Sequence, residues 1–374
     1  MTWIWEHNNW PNFIWNQEKI LPICRDIMYY LGSLNAKTGI IEKNENAGAE
    51  LDSLLKNIIA SSEIEGESLN VFSVRSSLAK RLKIKEDKSR ATARTESLAE
   101  LQFDILQNAE KKVSLKRLYK WHRWLFAQSE QVNFPIGKFR GKTPMQVVSG
   151  RIDKPKIHFE APPQKRIKTE IKSLLEWVNK TKTELGVDPF IRAGIIHLWF
   201  VTIHPFEDGN GRLARIFSEL TLAQYDKNTI KLYSVSSVIL NKRNEYYSML
   251  EKTQRNGLDI TQWLVWFLNI LKQSIIESQE RIEKVLYKTR FWKVFKELNL
   301  LSEQKKVLNI MLDSETNQFA NGISAMQYQK ITNVSKATAT RHLTELARLG
   351  CLKKLSASGR STRYEIKKIA EKLI

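Results

Sequence analysis

The sequence predicts a mainly α-helical chain of 374 residues, with one β-hairpin and a C-terminal helix pair followed by two short strands. Three patterns carry this expectation. Phe190 to Ile203 (FIRAGIIHLWFVTI) and Leu213 to Tyr225 (LARIFSELTLAQY) have the length and apolar density of helices, and Pro205, Gly209 and Gly211 break the pattern between them. Two β-prone runs, one ending near Ser149 and one starting at Lys156, flank a polar turn, Gly150 to Pro155. Ser324 to Ile331 and Ser335 to Leu349 read as helices joined by Thr332-Asn333-Val334. Strand-like Cys351 to Leu355 and Thr362 to Ile366 then surround Ser356 to Arg360.

The other elements follow in order. Residues 1–85 open with Trp3, Trp5, Trp10 and Trp15, which belong in a core or a domain interface, and continue through a polar, linker-like stretch from Asn35 to Gly48. Leu51, Leu54, Leu55, Ile58 and Ile59 then form one helical stripe. Gly66 ends that helix and leaves Glu65 in its last turn. A charged break, Lys80 to Arg94, precedes residues 86–285, where helices at Leu98 to Gln107, Leu115 to Ala127 and Ile167 to Lys180 wrap the central pair. Residues 290–374 form a third part.

Composition narrows the classes. Two cysteines, Cys24 and Cys351, exclude a disulfide framework and point to a reducing, cytoplasmic setting. The start, MTWIWEHNNWPNF, lacks the apolar core of a signal peptide, and no apolar run reaches membrane-spanning length. A net charge of +20 favours acidic partners, nucleic acid among them. The aromatic N-terminal surface suggests a homodimer.

The most informative stretch joins the two central helices: His204-Pro205-Phe206-Glu207-Asp208-Gly209-Asn210-Gly211-Arg212-Leu213-Ala214-Arg215. A loop feeding a helix N-terminus offers free N–H groups and partial positive charge to phosphate oxygens. Gly209 and Gly211 let a ligand approach the backbone. His204 can take a proton from an attacking hydroxyl. Asp208 is a hard ligand suited to Mg2+. Asn210 can donate to a phosphate, and Arg212 and Arg215 lie on one helix face with forks that match phosphate. Phe206 reads as an apolar anchor for the loop, and His197 as a satisfied core histidine. The set suits a nucleoside triphosphate.

This stretch resembles the signature of the Fic family, His-Pro-Phe-x-Asp-Gly-Asn-Gly-Arg-x-x-Arg, at every specified position. The resemblance implies a helical core with a β-hairpin flap, and transfer of AMP from ATP to a hydroxyl of a target protein. Upstream, Ser61, Glu65 and Gly66 match the family's inhibitory pattern, Ser/Thr-x-x-x-Glu-Gly/Asn. The resemblance implies that Glu65 pairs with Arg215 and spoils the pose of ATP. In some relatives that glutamate also supports removal of AMP. The hairpin matches the flap that pairs with a target segment, and Tyr246, Tyr247 and Gln254 match the positions that flank adenine and bind its edge. The opening WIWEHNNWPNFIW resembles a module attached to many bacterial members. Some relatives move UMP, phosphate or phosphocholine, but the glycine pair, the two arginines and Glu65 favour AMP here. His158 is given no role.

The C-terminal stretch SKATATRHLTELARLGCLKKLSASGRSTRYEI resembles bacterial winged-helix regulators. Residues 323–374 hold 11 Lys/Arg against 3 Asp/Glu, a balance of +8. On this reading Lys336, Thr338, Arg341 and His342 face a DNA groove, and Lys353, Lys354, Arg360 and Arg363 meet phosphates. A winged helix can equally bind protein. The alternative to an enzyme is therefore a DNA-binding transcriptional regulator whose other part senses ATP.

Overall fold

The computed structural model describes residues 2–39, 43–84, 91–128, 133–151, 154–181, 186–313, 319, 321–355 and 362–369. The chain divides into two units, Met1–Gln279 and Glu280–Ile374. The first begins with α1 (Gln17–Thr38), α2 (Lys43–Ile64), α3 (Val71–Leu82), α4 (Ala93–Gln107) and α5 (Leu115–Leu125). The stretch read as a polar linker is thus helical on both sides of residues 40–42, which lie outside the described residues. Ala36, Ala47 and Ala49 favour helix, and Asn16 caps α1 by accepting the Lys19 N–H.

A hairpin of β1 (Gln146–Arg151) and β2 (Lys154–Glu160) follows, antiparallel with Gln146 opposite Glu160 and a register shift between Val147 and Val148. Then come α6 (Gln164–Lys180), α7 (Pro189–Ile203), α8 (Asn210–Tyr225), α9 (Val235–Asn241), α10 (Arg243–Gln254) and α11 (Thr261–Val294), whose length crosses the boundary between the units.

α7 is the axis of the first unit. It is apolar on every side and buried from Phe190 to Ile203, as expected for a helix surrounded by others. Asp188 caps it by accepting the N–H groups of Phe190 and Ile191, and Pro189 stands in its first turn. The one charge inside, Arg192, is met by the carbonyl of Val178 at 2.7 Å and by Gln224 at 2.8 Å. His197 is fully buried and hydrogen-bonded to Ser218 and to the Tyr246 hydroxyl. It is the satisfied core histidine that the sequence indicates.

The N-terminal tryptophans settle against the hairpin and α7. Trp10 donates to Glu170 at 2.9 Å and meets Trp199 edge-on. Trp5 donates to the Glu160 carbonyl, and the Trp3 ring contacts Phe159 at 5.4 Å. The base of the hairpin is therefore propped from the start of the chain. α2 is fastened by one buried residue. Asn57 donates to Glu219 of α8 at 2.7 Å and accepts from Ser234 and from the Ser236 N–H of α9.

In the second unit, α12 (Ser302–Asp313), α13 (Ala325–Thr332) and α14 (Lys336–Arg348) precede a two-stranded antiparallel pair, β3 (Leu352–Lys354) and β4 (Tyr364–Ile366). Val307, Leu308, Tyr328, Leu343, Leu346, Leu352 and Tyr364 share its core. No helix among the described residues is long and apolar enough to cross a membrane.

Because Glu219 is buried and held by only Asn57 and Gln102, Asn57→Ala is expected to destabilise the first unit by about 1–3 kcal/mol. Thermal unfolding checks this: a melting midpoint unchanged from wild type would show that Asn57 does not fasten α2.

Candidate active site

The turn between α7 and α8 is set by several fixed points. His204 ends α7 in a left-handed conformation, φ 49°. Its carbonyl accepts from Arg140 Nε at 2.8 Å, and the Arg140 N–H donates to the Pro205 carbonyl. Asn210 reaches back to Phe206, accepting its N–H at 3.0 Å and donating to its carbonyl at 2.8 Å. The sequence reading gave the Asn210 amide a phosphate contact; the loop takes its oxygen and one of its two amide N–H groups. Phe206 is fully buried and stacks on His122 at 4.0 Å, so it anchors the loop as expected.

His204 emerges from this frame with a defined tautomer. Its Nδ1 lies 3.0 Å from the Val201 carbonyl, so Nδ1 carries the hydrogen and Nε2 keeps a lone pair. Burial holds the imidazole below the usual histidine range. It is therefore a neutral base at neutral pH.

The first turn of α8 carries the residues expected to meet phosphate. Gly209 precedes it at φ 83°. A Cβ there would strike Leu125 and Phe126, so this glycine serves packing and not the approach of a ligand. Gly211 differs, because a Cβ on it would overlap the Glu65 carboxylate. Asp208 accepts the Gly209 N–H through one oxygen, and the other lies 3.5 Å from Arg212. Its side chain is 54% exposed. No group of three or more His, Cys, Asp or Glu converges among the described residues. A half-exposed carboxylate whose outer oxygen is held only at 3.5 Å nevertheless fits a magnesium ion that arrives on phosphate oxygens and keeps water as its other ligands.

Arg215 is where the two motifs meet. Its guanidinium, 2% exposed, donates to Glu65 at 2.8 Å, to the Ser61 carbonyl at 2.8 Å and to the Ser61 hydroxyl at 3.0 Å. Its remaining nitrogen, Nη1, is buried without a hydrogen-bond partner. Burial opposes ionisation of Glu65, but the Arg215 charge outweighs it and keeps the carboxyl below the usual glutamate range. The helix expected to include Glu65 ends one residue earlier, at Ile64. The Gly66 N–H bonds the Glu63 carbonyl and the Glu67 N–H bonds the Ser62 carbonyl, with Gly66 at φ 79°. That is a Schellman motif.

His204, Gly211 and Glu65 share a cavity of about 670 Å³ with Tyr246, Tyr247 and Gln254, a size common for small-molecule sites. The hydroxyl of Tyr246 faces His197, and Gln254 donates to Thr202 at 3.1 Å. Tyr247 donates to the Ile64 carbonyl at 3.0 Å, which pins the end of α2. His158 also lines the cavity. Its Nδ1 donates to Glu251 at 2.6 Å and its Nε2 meets the Ser149 hydroxyl at 2.5 Å, which ties the hairpin to α10.

Comparison with known proteins agrees with this arrangement. Residues 112–222 match the Fic/DOC family, and residues 3–84 match a domain of unknown function, DUF4172. The chain carries a Fic domain. It is 28% identical over 150 residues to the protein adenylyltransferase fic-1 of Caenorhabditis elegans, a span covering 40% of this chain and 26% of that protein. It is 28% identical over 122 residues to a probable protein adenylyltransferase, aq_aa38, of Aquifex aeolicus (strain VF5), covering 33% of this chain and 35% of that one. The matches thus span about a quarter to a third of those relatives. A Fic family protein of Desulfovibrio desulfuricans G20 shares the fold over 94% of this chain and 97% of its own, at 18% identity and a TM-score of 0.52. A Fic-domain signalling protein of Bacteroides thetaiotaomicron VPI-5482 covers 70% of this chain and 96% of its own, at 18% identity and a TM-score of 0.53.

Three residues that contact the signature stretch escaped sequence reading. Arg140 braces the His204 carbonyl, and Glu67 reaches Arg212 at 2.5 Å. His122 accepts the Gly137 N–H at 2.8 Å and contacts the Asp208 carbonyl at 3.2 Å. Each lies outside the signature, and only a contact across 60 or more residues, or a loop packed on a neighbouring helix, gives it a role. In the second unit two expected groups are placed otherwise. His342 is buried against the Tyr328 hydroxyl at 2.9 Å, and Arg363 donates to the Gly322 carbonyl. Arg360 lies outside the described residues.

Burial pushes His122 down to about 4 and His197 down to about 3. Both lie below the unfolded value of 6.5, so the unfolded chain binds more protons as pH falls through 6.5. Stability is expected to hold above pH 6.5 and to drop progressively toward pH 4. Denaturant unfolding at stepped pH checks this, and a flat profile across that window would contradict neutral, buried histidines.

Proposed function

We propose that the protein transfers AMP from ATP to a Ser, Thr or Tyr hydroxyl of a target protein or of itself, and that Glu65 restrains it in cis. The observation that carries this reading is the state of Arg215. A buried guanidinium beside the helix tip is clamped by a carboxylate, next to a cavity that holds a neutral base. A triphosphate and Glu65 would compete for that fork. Relatives named protein adenylyltransferases support the same chemistry.

In the proposed reaction His204 Nε2 accepts the proton of the attacking hydroxyl. The oxygen forms a bond to the α-phosphorus, the bond from that phosphorus to the bridging oxygen breaks, and pyrophosphate leaves. The α8 tip, Arg212 and Arg215 offset charge on the phosphates. Asp208 would hold Mg2+, which when bound neutralises phosphate charge. Tyr246, Tyr247 and Gln254 would border the base. Val147 and Val148, exposed on β1, would offer a strand edge to the target segment.

Incubation with ATP labelled on the α-phosphate tests this. Glu65→Gly is expected to raise labelling about tenfold or more above wild type, within the usual range of coupling between sites. His204→Ala in that background is expected to lower it about 100-fold or more, as loss of a general base does. A Glu65→Gly protein as quiet as wild type would count against restraint, and labelling indifferent to His204 would remove it as the base.

A second reading concerns the second unit. Lys336, Thr340 and Arg341 are exposed on α14, and Lys353 and Lys354 on β3. This favours a winged helix that binds duplex DNA, the feature of a regulator whose Fic part senses ATP. Binding to duplex DNA is expected to weaken steeply with salt and to weaken further in Arg341→Ala. Affinity unchanged between 50 and 200 mM salt, about the range over which phosphate contacts are lost, would leave the unit as a protein-binding module.

A further inference from the structure

The turn that carries Glu65 presents a second carboxylate to the signature. Glu67 stands two residues on, and its oxygens are divided between two cations. One lies 2.5 Å from Arg212 Nη1, and the other pairs with Arg94 at the start of α4. Arg212 is 6% exposed, its guanidinium lies over the Phe126 ring at 4.8 Å, and its Nε is buried without a hydrogen-bond partner. Arg94 likewise has a buried, unpartnered Nη1. Arg212 does not line the cavity that holds His204 and Glu65.

We propose that Glu67 and Arg94 form a second clasp, which holds Arg212 toward α4 and anchors the turn that bears Glu65. This rests on the reading of Arg215 and Glu65 given above. The Schellman hydrogen bonds from Gly66 to Glu63 and from Glu67 to Ser62 fix the two carboxylates relative to each other. The turn therefore leaves as a piece. Freeing Arg215 by lifting the turn also withdraws Glu67 from Arg212, and loosening the Arg94 end weakens the hold of Glu65. Arg94, remote in sequence from the signature, becomes a point at which a partner could release both phosphate-binding arginines. Release also unmasks charge. Glu67 and Arg212 sum to zero while clasped, whereas Arg212 alone presents +1 to a triphosphate.

The test uses the full chain with Glu65 intact and ATP labelled on the α-phosphate. Arg94→Gln is expected to raise self-labelling about fivefold or more over wild type, while Arg94→Lys, which keeps the charge, stays near wild type. Labelling by Arg94→Gln equal to wild type, with melting unchanged and with Glu65→Gly active, overturns the proposal. So does a Glu65→Gly/Arg94→Gln protein that labels less than Glu65→Gly, because Arg94 would then position Arg212 for catalysis. If Arg94→Gln does not fold, Glu67→Gln takes its place with the same expectations. If Glu65→Gly is itself silent, the activity reading fails and ATP binding by calorimetry decides: Arg94→Gln must bind ATP more tightly than wild type, and equal affinity overturns the clasp.

Discussion

A guanidinium that is 2% exposed needs an anion beside it, and the first unit is organised around meeting that need at Arg215. Stripping a charge of water is expensive, and removing its partner is more so. Arg215 projects from a helix whose neighbours are buried along nearly its whole length, so it cannot swing out to solvent. In this structure the anion is Glu65. Any phosphate that takes its place satisfies the same requirement. On the proposed reading the two ligands exchange, and their competition is electrostatic as well as steric. Neither is favoured by simple attraction, because each displaces the other from the same fork.

Exchange also requires that α2 stay in place while its end gives way, and the distribution of contacts suits that division. Asn57 fastens the body of the helix through buried hydrogen bonds to Glu219 and to α9. The end is held by groups nearer the surface: Glu65, Glu67 and the Tyr247 hydroxyl are all partly exposed. Contacts close to water contribute less and are screened by salt. Gly66 supplies the left-handed turn between the two carboxylates, a conformation that costs any other L-residue roughly 1–2 kcal/mol. The spacing of the two carboxylates is thus built into the sequence at one position.

Much of this was legible before the coordinates. The apolar density of 190–203 announced a buried helix, and the signature placed His204, Gly211 and Arg215 together with Glu65 and Ser61. What sequence patterns could not resolve were side chains whose partners lie far away in the chain. Asn210 looked like a phosphate ligand because its amide suits one, yet loop closure claims it. Gly209 looked like a place for a ligand, yet Leu125 and Phe126 fill the space. Glu67 carried no signal, since nothing local announces Arg212 or Arg94. Asn35 to Gly48 read as a linker because polar residues mask helix propensity when no apolar stripe is present.

The N-terminal 84 residues have a further consequence for how restraint is read. They contribute α2 and the turn that carries Glu65, but Trp3, Trp5 and Trp10 also support β2, α6 and α7. The hairpin is held at its other side by His158 and Glu251 and by Arg255, which donates to the carbonyls of Ile157 and His158. One wall of the cavity is therefore positioned by the same segment that carries Glu65 to Arg215. Deleting that segment would remove the block and the brace together, so loss of activity in a truncated chain says nothing against restraint by Glu65. Only substitutions at the turn itself separate the two roles, because they leave the tryptophans in place.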